Sequence, residues 1–363
     1  MLFEPFSFSG LTLKNRIVRA ATYEKRADED GFVTDLLVEL YEELAKGGCG
    51  LIITGNAFVH PSGRAQPQML SIHSGLYVSG LKRLTDAVHS LGGLIAIQLS
   101  HGGRQSPTVL LGGERPLAPS EIYNPLTEAM PKAVTDAEIW ELIEAFGEAA
   151  SRAEQSGLDA IELHGAHGYL INNFLSPFAN IRDDYWGGDE ERRFHFVEEA
   201  FKAVKKETAI PVLIKINSDD FLPGGLNAEE GVRIAKRLED MGLDAIEISG
   251  GTRESALKPV RPDILKPEDE AYFRGAGGIF RKALRIPVIL TGGLRSKAVM
   301  EDVLLKKEAD LIGMSRPLIR EPALPKLMMG GKEKADCISC MRCMQFGRSA
   351  HVRCRQLKTA DMS

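Results

Sequence analysis

The 363-residue sequence predicts an α/β protein folded as a (β/α)8 TIM barrel. Three observations predict it. Short apolar runs recur eight times along the chain. Amphipathic helical patterns with their own start and stop signals fill the intervals. Polar residues and glycines gather at the C-terminal ends of the runs. Strands alternating with helices this many times close a parallel sheet into a barrel. An open doubly wound sheet needs fewer units and a switch point, and no GxGxxG follows the first run.

The runs are RIVRA (16–20), LIITG (51–55), LIAIQLS (94–100), AIELHG (160–165), VLIKIN (212–217), AIEISG (245–250), VILTGG (288–293) and LIGMS (311–315). Several are nearly continuous in apolar residues, as strands covered on both faces must be. Thr135 precedes Glu138 at capping-box spacing and opens a helical pattern through Trp140, Phe146 and Ala149, which Gly157 ends. Asn227 and Glu230 do the same for GVRIAKRLEDMG, which Gly242 ends.

Composition sets outer bounds. With 44% hydrophobic and 26% charged residues, the chain is an ordinary globular protein with enough residues for a large core. A net charge of −5 without a basic stripe argues against a nucleic-acid binder. No apolar run is long enough to span a bilayer, and MLFEPFSFSG lacks the basic-then-apolar order of a signal peptide. A cytoplasmic protein is expected, with a homo-oligomer compatible with the sequence.

Barrel chemistry sits where strands end. Along that edge the sequence places Ala20 to Tyr23, Gly55 to Ala57, Gln98 with His101, His164 to Tyr169, Lys215 with Asn217, Ser249 with Gly250, Gly292 with Gly293, and Ser315 with Arg316. The last two ends read as a phosphate site. TGGLRS offers pliant backbone whose N–H groups can face an anion, and MSRP adds a hydroxyl and a guanidinium suited to bidentate binding.

The HGAHGYL stretch leaving the fourth run crowds His164, His167 and Tyr169 together. Zinc is one reading, with His101 as a third imidazole; structural hydrogen bonding is another. The third is catalytic. Two imidazoles grip an oxygen where negative charge grows, and a phenol, protonated at neutral pH, delivers a proton to carbon. That chemistry needs a hydride, which no side chain supplies, so it needs a cofactor.

HGAHGYLINNFLSPFANIRDDYWGG, together with LTLKNRIV, IQLSHGGR, TGGLRS and MSRP, resembles the signature of the old yellow enzyme family of flavin-dependent ene-reductases. The match runs from about residue 3 to residue 330. The resemblance implies an FMN-binding barrel over 1–330 that takes hydride from NADH or NADPH and passes it to a small electrophilic alkene. It implies His164 and His167 as the substrate-anchoring pair, Tyr169 as proton donor, and Gln98 at the flavin pyrimidine edge. Gly292, Gly293, Ser315 and Arg316 match the phosphate cradle, and Ala21, Thr22 and Gly55 match positions lining the isoalloxazine. Two positions depart from the pattern. Lys215 stands where relatives carry an arginine near flavin N1, which loses the planar fork but keeps the charge. Tyr23 stands where many carry a threonine or cysteine against the flavin, unless Thr22 takes that role.

Cys337, Cys340, Cys343 and Cys354 form a C-x2-C-x2-C-x10-C pattern in an extension over 331–363, while Cys49 reads as a core residue. Clustered thiols suit a [4Fe–4S] cluster, a tetrahedral zinc, or no metal. The layout is similar to the iron–sulfur segment of the branch that includes dienoyl-CoA reductases and trimethylamine dehydrogenase, with shorter second and third gaps. In that branch FAD and pyridine-nucleotide domains follow; none follows within this sequence, so a cluster is expected to be structural or to serve a separate redox protein. The same branch makes amine or N-methyl dehydrogenation and acyl-CoA reduction the alternatives to alkene reduction. A flavin-free barrel aldolase or isomerase is the alternative of a different class.

Overall fold

The computed structural model describes residues 1–345 and 351–357, so 346–350 and 358–363 of the predicted extension lie outside the described residues. Parallel strands close into a barrel in sequence order: β1 (Ile17–Arg19), β2 (Leu51–Phe58), β3 (Ile95–Ser100), β4 (Ala160–Gly165), β5 (Val212–Asn217), β6 (Ala245–Ser249), β7 (Val288–Leu290) and β8 (Leu311–Met314). Ile312 of β8 faces Ile17 of β1, which seals the circle. Every predicted run contains a strand. β7 stops short of Gly292 and Gly293 because both take positive φ, 115° and 75°, which a strand cannot continue through.

Outside the strands lie helices α1 (Asp35–Lys46), α2 (Val78–His89), α3 (Asp136–Gln155), α4 (Leu170–Leu175), α5 (Glu190–Glu207), α6 (Ala228–Asp240), α7 (Arg274–Ala283) and α8 (Lys297–Leu305). Thr135 accepts from Glu138 N and Asn227 accepts from Glu230 N, each with the reciprocal glutamate bond, so both predicted capping boxes form. Gly157 and Gly242 take φ of 76° and 96° just beyond α3 and α6, where a Cβ would strain the turn.

Side chains alternate along each strand, and the alternation sorts them into two environments. Ile95, Ile97, Leu99, Ile161, Leu163, Ile214, Ile216, Ile246 and Ile248 point outward into the helix layer. The inward positions at the strand starts, Val18, Leu51, Ala96, Ala160, Leu213, Ala245, Ile289 and Leu311, form a separate apolar plug. A hairpin of Phe6–Phe8 and Leu11–Leu13 caps that plug from below with Phe8 and Leu13. Towards the strand ends the same inward parity turns polar: Gln98, Glu162, Lys215 and Glu247, then His164, Asn217 and Ser249, all buried. The barrel is a filled core whose upper half is hydrophilic.

After β8 the chain runs through α9 (Arg316–Arg320) and α10 (Leu324–Met329) and returns across the top of the barrel. Ala335 N donates to Arg295 O at 3.0 Å, and Val352 N donates to Glu24 O at 2.8 Å, tying the described part of the extension to the barrel. Cys49 is fully buried in the core, as expected. Among the described residues no helix is long and apolar enough to cross a membrane.

Candidate active site

The loop leaving β4 builds the first part of the site. Gly165 ends the strand, His167 takes φ 62°, Gly168 takes φ 79°, and Tyr169 caps α4. A left-handed non-glycine residue costs energy, so neighbours must hold it. They do: His167 N donates to Asn217 Oδ1 at 3.1 Å, Gln105 Nε2 donates to His167 O at 2.5 Å, and Gly168 N donates to Asn172 Oδ1 at 2.7 Å. Asp220 Oδ1 accepts from both Asn217 and Asn172, at 2.7 and 3.1 Å, and locks the amides.

That loop brings three rings together. His164 and His167 meet at 5.4 Å between centroids and 79°, and His164 lies 4.4 Å from Tyr169. His167 Nε2 is 2.7 Å from Ser249 Oγ, whereas the buried His164 Nδ1 has no hydrogen-bond partner. Burial, with help from the Lys215 charge, depresses His167 to about 3. His164 is depressed well below the usual imidazole range by burial, then by His167 and Lys215. Both are therefore neutral at physiological pH, and each carries one ring N–H. Burial raises the Tyr169 phenol, so it stays protonated; its oxygen accepts from Gln66 Nε2 at 2.9 Å. His101, the third imidazole of the zinc reading, accepts from Gly103 N at 3.0 Å and lies 2.9 Å from Ser62 Oγ. Among the described residues no three His, Cys, Asp or Glu side chains are grouped to hold a single metal ion.

The second part is an open cleft of about 650 Å³ over the strand ends. It is lined by Ala21, His167, Lys215, Gly292, Gly293, Ser315 and Arg316, and so unites predicted residues from five strand ends. Cβ atoms on Gly292 and Gly293 would stand 2.8–3.1 Å from Tyr272 ring atoms, so only glycine lets this backbone line the cleft over that ring. Arg316 is 7% exposed and Arg295 5%, and Arg295 Nε is buried without a hydrogen-bond partner. A cradle of bare backbone with buried guanidinium groups has the donor set that a phosphate monoester requires.

Other predicted residues take different places. Gln98 donates to Glu162 Oε2 at 2.6 Å, leaving its carbonyl oxygen for another donor. Thr22 Oγ1 is 2.8 Å from Ser315 Oγ and accepts from Arg19, while Tyr23 turns its hydroxyl to Pro67 O in the loop after β2. Gly55 N donates to Glu24 Oε1 at 3.0 Å, and a Cβ there would sit 2.1 Å from the Glu24 carboxylate. Glu162, Glu247, Arg295, Gln66 and Tyr272 are site residues that the sequence reading does not name. The glutamates are legible as charges within otherwise apolar strands and Arg295 as the arginine of TGGLRS, whereas Gln66 and Tyr272 come from loops with no pattern.

A second cavity, of about 330 Å³, adjoins the cleft. Cys337, Cys340, Cys343 and Cys354 all line it, together with Arg316 and Arg320. None of the four forms a disulfide. Burial pushes Cys343 up to about 11, and Arg320 Nη1 reaches Cys354 Sγ at 3.5 Å. Arg316 borders both cavities, donating to Ser339 O at 3.4 Å on the cysteine side.

A profile of the NADH:flavin oxidoreductase / NADH oxidase family matches residues 1–334. The chain is 38% identical over 326 residues to an NADPH dehydrogenase of Geobacillus sp. (strain WCH70), covering 90% of this chain and 92% of that protein. It is 36% identical over 344 residues to an NADH oxidase of Thermoanaerobacter brockii, covering 93% of this chain but only 52% of that protein, so it spans about half the relative's length. Among solved structures, 2-naphthoyl-CoA reductase in complex with 2-naphthoyl-CoA superposes with a TM-score of 0.89 at 29% identity, over 95% of this chain and 54% of that one. The old yellow enzyme homologue from Zymomonas mobilis superposes at 0.78 and 25% identity, over 93% and 95%.

Proposed function

Because this chain belongs to the NADH:flavin oxidoreductase / NADH oxidase family, FMN-binding barrels of the old yellow enzyme type, we propose that it takes hydride from NADH or NADPH and reduces the activated C=C bond of an α,β-unsaturated carbonyl compound. The observation that carries this reading is the cluster of two neutral imidazoles and one protonated phenol beside a cleft with a phosphate cradle. Bound FMN would supply the hydride store. Gly292, Gly293, Ser315, Arg316 and Arg295 would hold its phosphate, Lys215 and Gln98 its pyrimidine edge, with Ala21, Thr22 and Gly55 nearby.

His164 and His167 then lend N–H groups to the substrate oxygen. Neutral donors suit this task, because they stabilise developing charge without giving up their protons. Tyr169 protonates the α carbon as hydride reaches the β carbon. Gln66 already donates to the Tyr169 oxygen, so the phenolate left behind keeps a hydrogen bond until water reprotonates it. Tyr23, with its hydroxyl on Pro67, leaves the flavin-facing role open to Thr22.

For the four cysteines that share one cavity, the reading carried forward is a [4Fe–4S] cluster that is structural or serves a separate redox protein, with a tetrahedral zinc or no metal as the alternatives. The extent of likeness to 2-naphthoyl-CoA reductase favours a second substrate reading, reduction of an aromatic or enoyl acyl-CoA thioester. A flavin-free aldolase or isomerase is set aside by the family match. The test is Tyr169→Phe in stopped-flow kinetics. Oxidation of reduced enzyme by the alkene should slow about 10²–10⁴-fold, the usual worth of a positioned acid. Flavin reduction by nicotinamide should be spared; equal loss in both half-reactions would remove Tyr169 from the role.

A further inference from the structure

A layer of ionisable side chains lies inside the barrel, above the apolar plug and below the histidines, and the chemistry above leaves two of its members unused. Glu162 on β4, Lys215 on β5 and Glu247 on β6 occupy inward positions of adjacent strands. Both glutamates are fully buried and Lys215 is 4% exposed. Lys215 Nζ stands 3.0 Å from Glu247 Oε1 and 3.7 Å from Glu162 Oε2. Lys215 and Glu247 line the cleft that would receive the flavin.

Two acids thus flank one ammonium. With both ionised the layer carries a net charge of −1; with one protonated it is neutral. The hydrogen bonding argues for the second state. Glu247 Oε2 and Glu162 Oε1 are buried without a hydrogen-bond partner, and Glu247 Oε1 has the Lys215 ammonium at 3.0 Å. A buried carboxylate oxygen without a donor is costly, and a proton shared between two acids supplies the missing donor. Burial and the neighbouring Glu162 push the Glu247 carboxyl well above the usual carboxylate range. Burial works against the Lys215 ammonium, but the two acids outweigh it and hold it charged.

The remaining surroundings leave this balance to the three groups. β7 sets Ile289 against Glu247. β3 contributes the Gln98 amide, which donates to Glu162. His164 and His167, beyond Lys215, stay neutral through the working pH range.

We propose that Glu162 and Glu247 hold one proton between them and exchange it with solvent in step with the charge on a flavin bound in the cleft above. The inference rests on the flavin reading. A hydride brings two electrons and one proton to the cofactor and leaves one negative charge over Lys215. Where the acid pair is ionised, it answers by taking one proton from water, and it returns that proton on reoxidation. Glu247 is accordingly a positioning residue for charge and makes no contact with the reacting carbon.

The experiment compares the midpoint potential of bound FMN from pH 6 to 10 in wild type and Glu247→Gln. Gln mimics the protonated acid, so the two curves should coincide at the acidic end. Above the pH at which the pair ionises, wild type should fall below the variant by a further tenfold in equilibrium constant per pH unit, about 30 mV for a two-electron couple. The infrared carboxyl stretch of wild-type protein should disappear on the same alkaline titration. Superimposable potential curves, or no protonated carboxyl band at neutral pH in wild type, would overturn the inference. Failure of the wild-type protein to bind FMN in a fluorescence titration would instead overturn the flavin reading on which it rests.

Discussion

His101 offers a quantitative test of how the barrel top treats charge. Its ring is buried, accepts from Gly103 N, and reaches Ser62 Oγ, and burial depresses it to about 3. An unfolded histidine titrates near 6.5. The folded state therefore binds fewer protons than the unfolded chain between those values. The stability tied to a neutral His101 is complete above about pH 6.5 and is lost as pH falls towards 3. Going from pH 7 to pH 5 costs roughly 1.4 kcal/mol per unit over the pH 6.5–5 interval, about 2 kcal/mol for this one residue. Glu24 and Glu247 work in the opposite direction. Burial raises both carboxyls, so the folded state gains stability as they protonate on acidification. The wild-type slope mixes these effects, so the informative quantity is the difference between wild type and His101→Gln, which keeps a donor towards Ser62. Urea unfolding followed by fluorescence and circular dichroism should show that the advantage of wild type at pH 7 shrinks by about 2 kcal/mol at pH 5. A difference constant across that range would refute the buried neutral imidazole.

Arg316→Gln removes a guanidinium from the phosphate cradle and should weaken FMN binding about 10–100-fold, the worth of a hydrogen bond to a charged group, while riboflavin titrates unchanged. A parallel loss with riboflavin would place Arg316 elsewhere. Lys215→Met strips the ammonium from two buried acids and should destabilise the protein by about 3–5 kcal/mol at pH 8. Acidification should shrink that loss as the acids protonate; a pH-independent loss would point to packing alone. Gly293→Ala places a Cβ 2.8 Å from the Tyr272 ring at φ 75°. It should cost about 1–2 kcal/mol in backbone strain and at least tenfold in FMN affinity, with circular dichroism unaltered.

The barrel was legible because each strand and helix announces itself locally. AIELHG, VLIKIN and AIEISG are short, apolar and bounded, and Thr135 and Asn227 open their helices with recognisable caps. The rings of His164, His167 and Tyr169 were legible for the same reason, since six consecutive residues hold all three. What escaped was set by long-range geometry. Gln66 reaches Tyr169 across 103 residues, Tyr272 comes to the Gly292–Gly293 backbone from the loop after β6, and Tyr23 turns to Pro67 instead of inward. Glu162 and Glu247 stay hidden because reading strands as continuous apolar runs conceals a period of two.

That period has a wider consequence. Along β4, β5 and β6, residues that hold the helix layer and residues that meet the ligand interleave one by one. An exchange such as lysine for arginine at 215 alters the inner surface while Ile214 and Ile216 keep the outer seal intact. Selection for new chemistry and selection for persistence of the fold therefore act on different letters of the same short word. Such a scaffold can change its reaction by single steps without passing through an unfolded ancestor.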